Sequence, residues 1–378
     1  MSARRVVVLL VAGLLVVAFA VWLSSKRHLE RSTLAGDVVL QGLENALNTV
    51  TEVRLSKGDG TAATLKRGAE GWNVAQRDYP ADSGKVRKLL LDLAALNVVE
   101  EKTRTPANYP LLGVEDVNSP QATGTRVDAV TPGKTWSLIV GKSSSGKSGY
   151  VRVVGAEQSL LATPLVSVDA DPRHWLDHTL LDISQERIQE IAVKPAQGPA
   201  YTAHRDKKDQ SDFGVAEVPK GRELSSPAAA DPIAGSLAGM TLDDVRRAAD
   251  AATTPAPAAK PAAVAPTSAT AAVAHATFRT FDGLELEVTG HKEGDKSLVT
   301  LTARSTAKET EAEAQSLAAR LKGWEFELPG YKYDGMFRPL EDLLKKLPEP
   351  PAKPAKDGTK PVKAGAKAKA DLAGPREQ

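Results

Sequence analysis

Cysteine is missing from all 378 residues, and aromatic side chains account for only 4% of them. The first absence removes disulfides, thiol nucleophiles and every Cys-ligated metal site at once. The second, set beside 24 prolines and an abundance of alanine, marks part of the length as spacer rather than packed core. Strong charge of one sign is also lacking. The formal net charge is +2, and the basic excess sits at the ends, in Arg4, Arg5, Lys26, Arg27 and Arg31 and in a lysine-rich tail beyond Pro348. The body between is mildly acidic, which argues against a nucleic-acid partner, because phosphates demand a concentrated basic face. There is no G-x-S-x-G elbow and the six histidines are scattered, so no nucleophilic triad stands out.

What is present begins with residues 6–23, an uninterrupted apolar run of 18 residues between Arg4-Arg5 and Lys26-Arg27. At 1.5 Å per residue it makes about 27 Å of helix, close to the ~30 Å hydrocarbon core of a bilayer. Ala18-Phe19-Ala20 reads as a signal-peptidase site. Apolar Val21, Trp22 and Leu23 carry the run past it, so an uncleaved signal-anchor is preferred. Either reading exports the body. The expectation is a short cytoplasmic N-terminus (1–5), one transmembrane helix (6–23) in contact with membrane lipid, and a body outside the cytoplasmic (inner) membrane, in the periplasm.

The body repeats itself. VTEVRL (50–55), TLKR (64–67) and WNV (72–74) lead into KVRKLLLDLAAL; IQEIAV (188–193), TAHR (202–205) and FGV (213–215) lead into IAGSLAGMTLDDV. Repetition of this length governs how the architecture is read. In the first series, period-two alternation predicts three strands. A helix follows, capped near Asp82, with Val86, Leu89, Leu90, Leu93 and Leu96 on one face. Strands return over 125–130, 135–140 and 149–154. In the second, a helix is expected over 231–249, followed by a Pro/Ala/Thr insertion (251–274) too poor in large apolar residues to hold one conformation. Strands resume in ATFRTF, LELEVTG and SLVTLTAR, with helices over 308–322 and 336–347 and WEFEL (324–328) between them. The expected fold class is α+β: two duplicated units of mainly antiparallel sheet with packed helices, spanning 32–183 and 184–347, behind the N-terminal helix. Residues 348–378 read as a disordered Lys/Pro/Ala tail.

Three patterns suggest chemistry. Gly141-Lys142-Ser143-Ser144-Ser145-Gly146-Lys147-Ser148 matches the phosphate-loop spacing. A phosphate loop must open a helix whose free N–H groups hold the phosphates, whereas GYVRVV alternates like a strand. The segment therefore reads as a hairpin loop, as does HKEGDKS (291–297) in the second series. His174 and His178 are four apart, a spacing that could put two imidazoles on one helical face. The residue after the first is Trp175 rather than the Glu of a metalloprotease, and Pro172 restricts a helix start, so a surface turn or interface is preferred. The acidic run at 309–313 reads as a solvated helix face. No residue is assigned a catalytic, cofactor-binding or metal-ligating role, and no cofactor is expected.

Several stretches resemble one bacterial family taken together: VLQGLENALNTVTEVRL, DYPADSGKVRKLLLDLAALNVVEEKT, Tyr109 with Leu112-Gly113-Val114, LIVGK, GYVRVVG, EQSLLAT, WLDHTLLDI and WEFELPGYKYDGMFRPLEDLLK. The family is catalogued as domain of unknown function 4340. The resemblance implies a membrane-anchored envelope protein, an auxiliary, non-ATPase part of gliding-motility-type ABC transport systems, and it brings no catalytic residues with it. The expected function is an extracytoplasmic accessory or scaffold protein acting by protein–protein contact with membrane-protein partners of an ABC assembly. The alternatives are an envelope hydrolase using carboxylates assembled by the fold and, least favoured, a P-loop nucleotide-binding protein.

Overall fold

The computed structural model describes residues 34–248 and 272–346. The expected membrane span, its flanks, nearly all of the insertion and the tail lie outside the described residues. Among the described residues no helix is long and apolar enough to cross a membrane.

Alternation builds the first sheet. After a single turn, α1 (Leu43–Ala46), Val53 and Leu55 are buried on β1 (Glu52–Lys57) and Ala63 and Leu65 on β2 (Ala62–Arg67). The hairpin between them needs Gly60 at φ +89°, a conformation that costs other residues a Cβ clash. β3 (Trp72–Val74) and β4 (Tyr79–Pro80) extend the meander. The Asp82 side chain accepts hydrogen bonds from the Gly84 and Lys85 N–H groups and so caps α2 (Ser83–Ala94), which buries Val86, Leu89, Leu90 and Leu93. That helix carries the chain to the far edge of the sheet, where β5 (Asn97–Glu101) lies. One further turn, α3 (Tyr109–Leu112), precedes the return to β6 (Thr125–Val130) beside β1. The chain then runs through β7 (Thr135–Ser145), β8 (Ser148–Val153) and β9 (Ser159–Thr163) back to β5. The order is β4-β3-β2-β1-β6-β7-β8-β9-β5, with antiparallel neighbours throughout.

Beyond β10 (Thr179–Leu181), the second sheet starts with β11 (Ile188–Lys194), β12 (Tyr201–His204) and β13 (Gly214–Val215). The helix expected over 231–249 is reduced to α4 (Asp231–Ala234) and one 3₁₀ turn. It gives way to β14 (Met240–Thr241) and β15 (Asp244–Arg247). Gly235 and Gly239, the latter at φ +51°, interrupt the helix, and pairing of β15 with a later strand outweighs local propensity. β16 (Ala274–Thr280), β17 (Leu284–Glu293) and β18 (Lys296–Ser305) follow. The strand β16 takes in Ala274, which the sequence reading placed in the insertion. The helix α5 (Glu311–Leu321) leads to β19 (Trp324–Leu328). The last expected helix is shifted: α6 is Gly330–Met336, and Pro339 separates it from a 3₁₀ turn at Leu340–Leu343, because proline disfavours helical backbone at the residue before it. This sheet is ordered β13-β12-β11-β16-β17-β18-β19-β15, again with antiparallel neighbours. The described chain is thus mostly antiparallel sheet with a few helices, an α+β fold.

One continuous apolar core runs through both sheets. At the junction Tyr79 meets Trp324 edge-on, ring centroids 5.2 Å apart at 88°, and Phe326 at 6.2 Å. The linking segment is stitched to both sides. The Asp82 N–H donates to the Trp175 carbonyl at 2.8 Å, and the Leu242 N–H donates to the His178 carbonyl at 3.0 Å. Buried backbone polar groups are thereby satisfied where the two sheets abut.

Candidate functional site

Sheet meets sheet at a charged cleft of about 340 Å³. One wall is the turn between β3 and β4, with Gln76, Arg77 and Asp78; the other is β15 with its neighbours on β18 and β19. On β15 Val245 is buried, and Asp244, Arg246 and Arg247 line the cleft with it. Asp78 has φ +51°, the only non-glycine residue at positive φ among the described residues, and aspartate tolerates this region better than most side chains.

Opposite charges are matched across and along the cleft. Arg77 grips Asp244 with both ends of its guanidinium, Nε to Oδ1 at 2.6 Å and Nη2 to Oδ2 at 2.8 Å. Arg247 Nη2 reaches Asp78 Oδ2 at 2.6 Å, and its guanidinium carbon lies 3.6 Å from the Trp324 ring centroid. Arg246 binds Glu325 at 2.5 Å and Glu293 at 2.9 Å, and Lys296 binds Glu327 at 2.7 Å. The hydrogen bond it donates to Asp244 holds the Arg77 guanidinium above its ordinary pKa despite partial burial. Beside the cleft, burial and then the neighbouring Glu327 raise the carboxyl of Asp243. Each arginine and lysine lining the cleft has a carboxylate partner. Such an arrangement fixes the relative position of two sheets; its bidentate, partly buried member contributes most, and its exposed Arg247–Asp78 pair little.

The patterns singled out in the sequence lie elsewhere. Residues 141–148 form the end of β7, a Gly146-Lys147 turn and the start of β8, and no helix opens at Ser148. The pattern's first glycine has another cause, and the lysine beside it, which is not the pattern's lysine, has a structural role. A Cβ on Gly141 would lie 2.3 Å from the Leu112 carbonyl oxygen and 2.8 Å from that of Gly113, so glycine is required because backbone docks directly on β7. Lys142 Nζ donates to the Pro110 and Leu111 carbonyls at 3.1 Å, serving the orphan carbonyls of α3. Arg152 completes this clamp. Buried and stacked 4.6 Å from the Tyr109 ring centroid, it donates to the Val114 carbonyl at 2.8 Å.

His174 and His178 do not share a helix. His174 is in a 3₁₀ turn with Nδ1 at 3.8 Å from Asp169, and His178 Nδ1 lies 2.6 Å from the Leu242 carbonyl. In the acidic run Glu313 binds Arg187 at 2.9 Å, tying α5 to the turn before β11. The cleft residues were not singled out by sequence reading. Arg77 and Asp244 are separated by 167 positions, and the only local signal was the alternating DDVRR, which also fits a helix.

The fold and cleft define an α+β protein whose two antiparallel sheets are locked at a polar seam. The chain belongs to the family described as domain of unknown function (DUF4340), whose model matches residues 72–261. No curated protein and no solved structure matches the chain.

Proposed function

We propose that the chain is a membrane-anchored extracytoplasmic accessory or scaffold protein of an ABC-type transport assembly, and that its body is two copies of one β-rich unit. The observation that carries the reading is the cleft, where the charged groups engage one another and brace two extended sheets as one surface. A braced double sheet suits protein contact over a large area. Duplication is supported by the matching strand orders and by equivalent hydrogen bonds. Val53 pairs with Leu65 and Ile191 with Ala203; the Ala75 N–H donates to the Thr64 carbonyl and the Ala216 N–H to that of Thr202. Gln76 and Glu217 side chains accept from the N–H groups of Thr64 and Thr202. By this reading 32–183 and 184–347 are the units, and the apolar run at 6–23 tethers them to the membrane.

The hydrolase alternative draws on the raised carboxyl of Asp243, but the carboxylates lining the cleft sit beside cations, which favours their ionised form over a general acid. The test is co-purification. The full chain, extracted from membranes with detergent, is expected to carry a polytopic permease with it after cross-linking. Release by an alkaline carbonate wash, or recovery as a partnerless monomer, overturns the proposal.

A further inference from the structure

A larger groove, about 770 Å³, opens where α6 leaves the second sheet. At its rim stands Tyr331, 72% exposed, the most exposed large hydrophobic side chain among the described residues. Behind it the rings of Tyr333 and Phe337 pack at 4.8 Å against Gly290, where a Cβ would lie 2.5 Å from Phe337 Cε2. The aromatic floor is therefore packed closely on β17. Tyr333 is only 4% exposed and lines the groove, and among the described residues its hydroxyl has no hydrogen-bond partner. Gln197, Arg338 and Asp342 also line the groove, and their side chains make no hydrogen bond or ion pair among the described residues. Lys292 is neutralised by Asp334 at 2.8 Å.

We propose that this groove binds an uncharged oligosaccharide, with the Tyr331 ring stacking on a sugar and Tyr333, Gln197, Arg338 and Asp342 engaging its hydroxyls. A pyranose has one face of C–H groups that suits the electron-rich face of an aromatic ring. Its rim of hydroxyls both donates and accepts. The groove offers the complement: donors on Arg338 and Tyr333, an acceptor on Asp342, and both on Gln197. Burial, with Asp334 nearby, raises the Tyr333 pKa, so its hydroxyl remains a donor through neutral pH. Arg338 balances Asp342, which leaves no surplus charge to attract a polyanion. A proline-rich peptide would also fit the rings, but prolines offer carbonyl acceptors without N–H donors and would leave Asp342 unmatched. The volume lies within the ~300–1,000 Å³ of small-ligand sites, enough for a short stretch of a polysaccharide.

The site stands apart from the cleft and does not depend on the transport role. Titration calorimetry of the detergent-purified full chain with cellohexaose, maltohexaose and chitohexaose tests it. At least one is expected to bind saturably, and Tyr331→Ala and Asp342→Asn, each with unchanged circular dichroism, are expected to weaken it by about tenfold or more. Tyr331→Phe, which keeps the ring, should bind as the parent does. Absence of binding by all three sugars, equal binding by the two weakening variants, or binding of a proline-rich peptide in their place overturns the proposal.

Discussion

The two sheets share a strand order and bury the same face of their first hairpins, but they cover their outer faces differently. On the first, Tyr109, Val114 and Ile139 form a small apolar cluster of their own, and the Leu112-Gly113 backbone lies directly on Gly141. On the second, a ladder of charges crosses four strands. Glu190, Arg279, Glu285 and Arg304 stand opposite one another on β11, β16, β17 and β18. Arg279 binds Glu190 and Glu285, and Glu285 also binds Arg304 at 2.7 Å. The contrast teaches that the inward alternation and the turns set the strand order, whereas the outward positions are free to take either solution. Helix placement diverges as well: the longest helix of the first sheet precedes its edge strand β5, that of the second joins β18 to β19.

The sharpest test of this comparison lies in one matched arginine pair. Arg205 is buried and donates to the carbonyls of Ile188, Gln210, Gln185 and Glu186 while stacking on Phe213 at 4.9 Å. Its counterpart Arg67 is exposed, donates to the Asn48 carbonyl and lies 5.9 Å from the Trp72 ring centroid. Arg205→Ala removes four hydrogen bonds and a buried, ring-stacked guanidinium and is expected to cost about 3–4 kcal/mol, against about 1 kcal/mol or less for Arg67→Ala. Urea denaturation of the two variants measures both. Equal losses would show that the second sheet does not depend on its buried arginine as the geometry requires.

Next in size are the glycines under the docked segments. Gly141→Ala forces a methyl group against fixed backbone and is expected to cost about 2–3 kcal/mol. Gly290→Ala meets the rings of Phe337 and Tyr333, which can shift, so about 1–2 kcal/mol is expected. Lys147→Ala, on the exposed turn, should change stability by less than about 0.5 kcal/mol. A thermal-melt series reads all three. A large loss for Lys147→Ala with none for Gly141→Ala would restore a functional reading of the loop over a structural one.

Most strands were legible in the sequence because period-two alternation and Gly-rich turns are local signals. VTEVRL and LELEVTG show buried apolar residues between polar ones, LIVGK and SLVTLTAR carry runs of buried apolar residues, and each is a strand. The helix α2 was legible from its Asp82 cap and its apolar face. What misled was the match of KVRKLLLDLAAL to IAGSLAGMTLDDV: the second contains Gly235 and Gly239, and its DDVRR end is an edge strand that exists only because β19 pairs with it. The edge strand β5 and its neighbour β9 were missed for a related reason, since NVVEE and SLLAT are short and depend on strand partners distant in sequence. The cleft was illegible because its parts come from the two sheets and meet only at the junction.

The charge ladder predicts a pH dependence of stability. Hydrogen bonds from Arg279 and Arg304 hold the Glu285 carboxyl below its ordinary range, although burial opposes them. A lowered folded-state pKa contributes stability that is full above the unfolded value, about 4.3 for glutamate, and is lost as pH falls through the folded value. Glu285→Gln is expected to cost about 1–2 kcal/mol at neutral pH, and the gap to the parent should close as pH drops below about 4. A gap that stays constant down to the acid transition would mean that the ladder packs through its alkyl stems rather than through its charges.

A smaller coupling is expected at the seam between the sheets. The Arg77–Asp244 pair is bidentate, with side chains 30% and 14% exposed, so water screens it in part but not wholly. A double-mutant cycle with Arg77→Ala and Asp244→Ala should give a coupling of about 1 kcal/mol, falling in high salt. The exposed pair of Arg247 with Asp78 should give less, because Asp78 is 79% exposed. The ranking carries more weight than either value. If the seam braces the two sheets, breaking Arg77–Asp244 should raise amide exchange at β4 and β15 together, since each edge strand is held against the other sheet at this junction. Faster exchange at only one of them would mean that the pair is an ornament of that strand, and that the apolar contact of Tyr79 with Trp324 and Phe326 alone keeps the sheets in place.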